Sequence, residues 1–151
     1  MPSITLLLKQ LSADYPKFTF KKGTNFSWSP TEKIVYYNDG HSDNQLLLLH
    51  ELAHAKLGHN DYGQDIELIK MERAAWDEVA NLSKQYGVDF DQDKVQNALD
   101  TYRDWLHKRS TCPNCTANGV QVNQNHYKCL ACNHKWRANE ARLRALRRYN
   151  K

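Results

Sequence analysis

The sequence predicts an α+β protein in two parts: a small antiparallel sheet packed on a helical core, then a short cysteine-bearing β module. Three observations predict this. Apolar residues recur at helical spacing in four stretches, β-branched and aromatic runs resembling strands separate the first two of them, and four cysteines stand as two C-x₂-C pairs near the C-terminus. The chain has 151 residues, enough for one core of ordinary size and a small appendage. By motif it divides into 1–108, 109–137 and 138–151.

Ser3 to Asp14 reads as a short helix, with Ile4, Leu7, Leu8 and Leu11 on its apolar side and Pro16 stopping it. Phe18-Thr19-Phe20 and Ile34-Val35-Tyr36-Tyr37 read as strands, and Phe26-Ser27-Trp28-Ser29-Pro30 as a strand and turn between them. Ser42 or Asp43 caps a buried helix that opens with Leu46-Leu47-Leu48-Leu49. Ala53, Ala55 and Leu57 carry it on, and Gly58 ends it as a C′ residue in the left-handed conformation. A further helix spans roughly Gln64 to Tyr86 by its 3.6-residue period. The last, Asp91 to Lys108, sets Val95, Leu99, Tyr102 and Leu106 on one face and is expected to close the core before the cysteine module.

The buried helix carries His50-Glu51-Leu52-Ala53-His54, an H-E-x-x-H motif. Histidines four apart lie about 40° from one another on a helix, so both imidazoles can reach one Zn²⁺. Glu51 projects beside them, where it can take a proton from water. Burying two histidines and a glutamate without an ion would leave several polar groups to be paired, which is costly.

A helix offers only two such ligands, so a third comes from elsewhere. In H-E-x-x-H-x-x-G-x-x-H the glycine follows the second histidine by three and the last histidine by six. Here Gly58 and His59 follow His54 by four and five, which excludes that class. On a continued helix His59 would point about 140° away from His54, so it reads as an orienting or helix-terminal residue. Glu72 is the better candidate. It stands at the centre of an apolar arc formed by Leu68, Ile69, Ala75, Trp76 and Val79, with Lys70, Arg73, Asp77 and Asn81 opposite. A carboxylate facing inward needs a cation, either an ion held by His50 and His54 or a buried Arg or Lys.

His50 to His59 followed by Glu72-Arg73-Ala74-Ala75-Trp76-Asp77-Glu78-Val79-Ala80 resembles the ImmA/IrrE-type metallopeptidases, whose pattern is H-E-x-x-H and then E-x-x-A-(N/D)-x-x-A. The resemblance covers roughly residues 1–90. It implies a gluzincin-like core in which His50, His54 and Glu72 hold a catalytic zinc and Glu51 is the general base. It also implies an edge strand that receives the substrate by β-augmentation. Trp76 departs from the small polar residue common at its position. His59 and Tyr62 are the candidates to orient a ligand or stabilise an oxyanion.

Cys112-Pro113-Asn114-Cys115 and Cys129-Leu130-Ala131-Cys132 are separated by thirteen residues. Each pair presents two thiolates to one ion, and four thiolates close a tetrahedral structural zinc site. With Gly119 to Val122 and Tyr127 to Cys129 as short strands this is a zinc ribbon, expected to fold only with its metal. Disulfides or a redox pair are the alternatives, disfavoured in a reducing compartment.

Net charge is +4, split into −5 over residues 1–104 and +9 from Trp105 onward. Lys135, Arg137, Arg142, Arg144, Arg147 and Arg148 are candidate nucleic-acid contacts on a basic helical tail, with Tyr127 and Trp136 as exposed stacking rings for DNA or RNA. Mean hydropathy is −0.80, and no apolar run approaches the roughly 20 residues of a membrane helix. The N-terminal Met1-Pro2-Ser3-Ile4 opens no signal segment, so a cytoplasmic protein without a membrane partner is expected.

The expectation is a zinc metallopeptidase acting on a protein or peptide, with one catalytic and one structural zinc. One rival is a nucleic-acid-binding regulator with a vestigial peptidase half. Another is an SprT-like protease of DNA-bound proteins, which calls for a third histidine well downstream; none lies between His59 and His107.

Overall fold

In a computed structural model, residues 3–139 and 147–149 are described. The protein is mixed α+β. Helix α1 (Ile4–Asp14) is capped by Ser3, whose hydroxyl oxygen accepts the Leu6 N–H at 3.1 Å, and it buries Leu7 and Leu11. Strands β1 (Thr19–Lys22), β2 (Ser27–Ser29) and β3 (Ile34–Tyr37) form one sheet in the order β1-β3-β2. β3 is antiparallel to β2 but parallel to β1, so the sheet is mixed where the sequence predicts an antiparallel one. β2 and β3 form the hairpin, and β3 takes the central place between two strands that are neighbours in the chain. Local alternation marks strands but does not fix their order. Val35, at the centre of β3, is fully buried.

Helix α2 (Asn44–Lys56) follows, with Asp43 at its N-cap, and packs on β2 and β3. Leu48, Leu49, Leu52 and Ala53 are all fully buried, covering more than one face of the helix. At its C-terminus Gly58 adopts φ +69°, as expected. Its N–H donates to the Ala55 carbonyl at 3.2 Å, and the His59 N–H donates to the His54 carbonyl at 3.0 Å. This pair of bonds is a Schellman motif, which turns the chain sharply back along the helix.

Helix α3 (Asp65–Tyr86) and helix α4 (Gln92–Ser110) lead to strands β4 (Gly119–Asn123), β5 (His126–Cys129), β6 (Lys135–Ala138) and β7 (Arg148–Tyr149). These four strands make an antiparallel sheet in chain order. Arg148 and Tyr149 are therefore paired strand, not part of a basic helix. Arg142 and Arg144 lie outside the described residues.

Packing divides the chain into two compact units: residues 1–60 with 71–92, and residues 61–70 with 93–151. Sequence periodicity places α4 in the first core, whereas packing assigns it to the unit of the ribbon. In the first unit, Ala75, Trp76, Val79 and Leu82 of α3 are buried with the leucines of α1 and α2. Tyr86 closes it by donating its hydroxyl to Asp14 Oδ2 at 2.5 Å. Lys56 Nζ reaches Glu78 Oε1 at 3.1 Å and links α2 to α3.

The second unit is organised around Arg109, which is 1% exposed. Its Nε donates to Asp65 Oδ2 at 2.9 Å and to the Tyr127 hydroxyl at 3.0 Å, and its Nη2 to Asn125 Oδ1 at 2.5 Å. Nη1 donates to the Asn139 carbonyl, and the guanidinium lies 4.8 Å from the Trp105 ring centroid. This arginine is thus an internal tie and adds nothing to the basic surface. Trp136 donates its indole N–H to the Arg109 carbonyl at 2.9 Å and stacks on Tyr127 with ring centroids 5.7 Å apart. Both rings are 1% exposed, so they form the ribbon's core with Cys112, Cys129 and Ala138 and are not an exposed stacking platform.

Two substitutions test this packing. Gly119→Ala puts a Cβ 2.4 Å from Trp136 Cη2 and 2.8 Å from the Lys128 carbonyl oxygen. We expect a loss of about 1–3 kcal/mol in the second unit, read from its chemical denaturation. Arg109→Ala leaves Asp65 buried and unpaired, with an expected cost of about 3–5 kcal/mol by the same measurement.

Candidate metal centres

α2 presents His50 and His54 one turn apart, and α3 brings Glu72 to meet them. His50 Nε2 lies 2.9 Å from Glu72 Oε2, His54 Nε2 lies 3.1 Å from Glu72 Oε1, and the two imidazole Nε2 atoms are 3.2 Å apart. A tetrahedral ion with bonds near 2.0–2.1 Å holds its ligand atoms about 3.3 Å apart. The triangle fits a small divalent cation, and its two nitrogens and one carboxylate suit zinc. Glu72 is 5% exposed and pairs with the two histidines, so the alternative of a buried Arg or Lys partner does not hold. Glu51 joins the group, its carboxylate and the two histidine nitrogens all lying within 4.8 Å of one another.

The electrostatics follow from burial and charge. Burial raises the Glu51 carboxyl above its ordinary value, and the two histidines only partly offset this. Glu72 is also penalised by burial, yet hydrogen bonds and charge from His50 and His54 hold it well below the carboxylate range. For His54, burial works downward, but the hydrogen bond and charge of Glu72, with the charge of Glu51, outweigh it and raise the imidazole. Protons and a metal ion therefore compete for the same atoms.

Two supporting contacts are less visible in the sequence. The Schellman turn at Gly58 returns His59 to the helix, where its Nδ1 meets His54 Nδ1 at 2.8 Å. A histidine that gives Nε2 to an ion carries its proton on Nδ1, and His59 is placed to accept it. The indole N–H of Trp28 on β2 donates to the His59 carbonyl at 3.1 Å and fixes this residue in turn. Trp76 stacks on His50 with centroids 4.2 Å apart and planes 9° from parallel. The wheel places Trp76 four residues after Glu72 on the same face, and that was the available signal. Tyr62 lies half-buried at the start of the second unit.

The four cysteines form a separate cluster. Cys112 Sγ and Cys132 Sγ are 3.7 Å apart, and Cys115 Sγ and Cys129 Sγ 3.5 Å, while none is in a disulfide. With metal–sulfur bonds near 2.3 Å, a tetrahedral ion sets sulfurs about 3.75 Å apart. The two halves are built alike. Thr116 N–H donates to the Cys112 carbonyl and Asn133 N–H to the Cys129 carbonyl, each at 3.0 Å, and both residues adopt positive φ. The Ala117 backbone works to lower the Cys115 thiol, but the neighbouring thiols outweigh it and push it up to about 12. The Asn114 amide and then the His134 backbone bring Cys132 down to about 6. Thiols this close do not all ionise together unless a cation is present.

The chain matches no protein-family model, no curated protein and no solved structure.

The competition at the His-Glu triangle sets a pH dependence. The raised His54 contributes stability that is fully present below 6.5 and lost as pH rises through its folded value; the lowered Glu72 contributes stability present above 4.5 and lost as pH falls. Ion-free protein gains most from the pair between 4.5 and 6.5, whereas metal affinity rises with pH as His54 loses its proton. Thermal melts of chelated protein and zinc titrations, each at about pH 5.5 and about pH 8, check both signs. His59→Ala should weaken zinc binding by about 10–100-fold with the fold retained.

Proposed function

We propose that the protein is a zinc metallopeptidase that hydrolyses a peptide bond in a protein or peptide substrate. The observation that carries this reading is the meeting of Glu72 with His50 and His54 beside the half-buried Glu51. Zinc held by His50, His54 and Glu72 would supply Lewis acidity toward a carbonyl oxygen and make water easier to deprotonate. The Glu51 carboxylate takes a proton from the attacking water and returns it to the leaving amine as the peptide bond breaks. His59 holds the ring of His54, and Trp76 holds that of His50.

The substrate path in this reading runs beside β2, an outer strand of the mixed sheet. Trp28 connects that strand to His59, and a groove of about 340 Å³ lies between Phe18, Trp28, Lys33, Lys56 and His59. An extended peptide pairing with β2 would set alternate side chains into such a groove. The four-cysteine ribbon takes a second, structural zinc in this proposal. No helix among the described residues is long and apolar enough to cross a membrane; a cytoplasmic protein is the reading in keeping with paired thiols left reduced.

Two variants separate the roles. Glu51→Gln should keep two zinc ions per chain and lose peptide cleavage by a factor of about 10²–10⁴, measured on a denatured protein mixture by mass spectrometry of new termini. Cleavage by that variant at the wild-type rate would sink the general-base role. Glu72→Ala should leave one zinc per chain by elemental analysis, because the cysteine cluster is untouched.

A further inference from the structure

The outer face of the ribbon sheet carries an arrangement that its folding does not explain. Side chains alternate along β5 and β6: Tyr127, Cys129, Trp136 and Ala138 point inward, whereas His126, Lys128, Lys135 and Arg137 point outward. Across the strands the register sets Val120, Lys128 and Lys135 in one row, and His126, Arg137 and Tyr149 in the next. Lys128 and Lys135 thus stand directly opposite each other on neighbouring strands. Like charges in that relation destabilise a sheet. The sequence offers nothing local to neutralise them, since no Asp or Glu occurs between Ser110 and Glu140.

The rows also carry groups able to meet an unpaired base. Tyr149 is 39% exposed, and the Arg137 guanidinium lies 4.4 Å from its ring centroid. A groove of about 450 Å³ follows this face, flanked by Val122, His126, Lys128 and Lys135, over the covered rings of Tyr127 and Trp136. That volume falls within the roughly 300–1,000 Å³ of ligand clefts. Cations in rows on a sheet face, with an exposed ring at one end, match the alternating phosphates and bases of an extended strand.

We propose that this face binds single-stranded nucleic acid, with Lys128, Lys135 and Arg137 on phosphates and Tyr149 against a base. The inference stands apart from the peptidase reading and uses none of its residues. A polyanion across the two lysines would relieve the repulsion that the bare sheet carries.

The test exploits opposite signs for folding and binding. Full-length zinc-loaded protein is titrated into a short fluorescein-labelled single strand of mixed sequence, over a range of salt, and followed by anisotropy. The wild type should bind with a salt-dependent affinity. Lys128→Glu converts the opposed pair into an attractive one, so it should raise the melting temperature while reducing affinity at least several-fold. The slope of log affinity against log salt should fall by about 1 for each lost phosphate contact. Lys135→Glu should behave alike, and Glu51→Gln should bind as the wild type does. No binding by the wild type overturns the proposal, as do tighter binding to duplex and equal binding to polyglutamate, the mark of an acidic protein partner. If Lys128→Glu lowers both stability and affinity, the lysines serve to balance the negative thiolate cluster, and the proposal also falls.

Discussion

A buried carboxylate that must have a positive partner governs the first unit. Glu72 sits where the apolar arc of α3 would otherwise place a hydrophobe, and leaving it alone would cost several kcal/mol of desolvation. Its partners are two imidazoles from α2, one turn apart. Everything near them serves that meeting. Leucines on more than one side of α2 hold the helix fixed, the Lys56–Glu78 pair links it to α3, and the Gly58 turn returns His59 to its end. In the absence of an ion a proton between carboxylate and imidazole fills the gap, and an ion bound there as proposed would have to displace it.

The second unit solves a different problem with a different cation. Its sheet is small and its apolar content low, so burial alone supplies little, and Arg109 gathers α3, α4, the β4–β5 turn and the chain after β6 into one network. A guanidinium does this well because its planar donors can reach several acceptors at once. The two halves of the chain are thus each built around one buried charge pair. One draws its positive charge from titratable imidazoles; the other draws it from a guanidinium that is always protonated.

How much of this was legible in the sequence follows from the range of each interaction. The H-E-x-x-H helix, its glycine stop and the inward placement of Glu72 were readable, because helical periodicity converts spacing into direction. So were the paired cysteine knuckles, whose spacing is local. The sheet order was not, since alternation marks β1, β2 and β3 as strands but is silent on which one lies between the others. Tyr127 and Trp136 were misread as exposed because aromatic residues near arginines look alike on a surface and in a small core; strand register decides, and Gly119, the residue that makes room for Trp136, was the signal passed over. The internal role of Arg109 was not legible either. Its partner Asp65 lies 44 residues away in the chain, so only the fold brings them together. His59 pointed away on an extended helix, and the left-handed turn before it reverses that direction.

Trp76 has a further consequence for how the first centre would take up and release the proposed ion. A side chain frozen on binding gives up roughly 0.5–1.5 kcal/mol of rotamer freedom. The indole against one face of His50, and Glu72 and His59 on either side of His54, have already taken that freedom from both ligands. The imidazoles are therefore held in one arrangement, and the proposed ion would leave without loosening the helices behind them. The cysteine knuckles are shaped by backbone turns instead, and the proposed structural zinc would offset the repulsion among their crowded thiolates. Depletion of metal would then act on the two units unequally: the first would stay in shape, ready to be refilled, while the second would keep its Arg109 network and lose the cation that its crowded thiols call for.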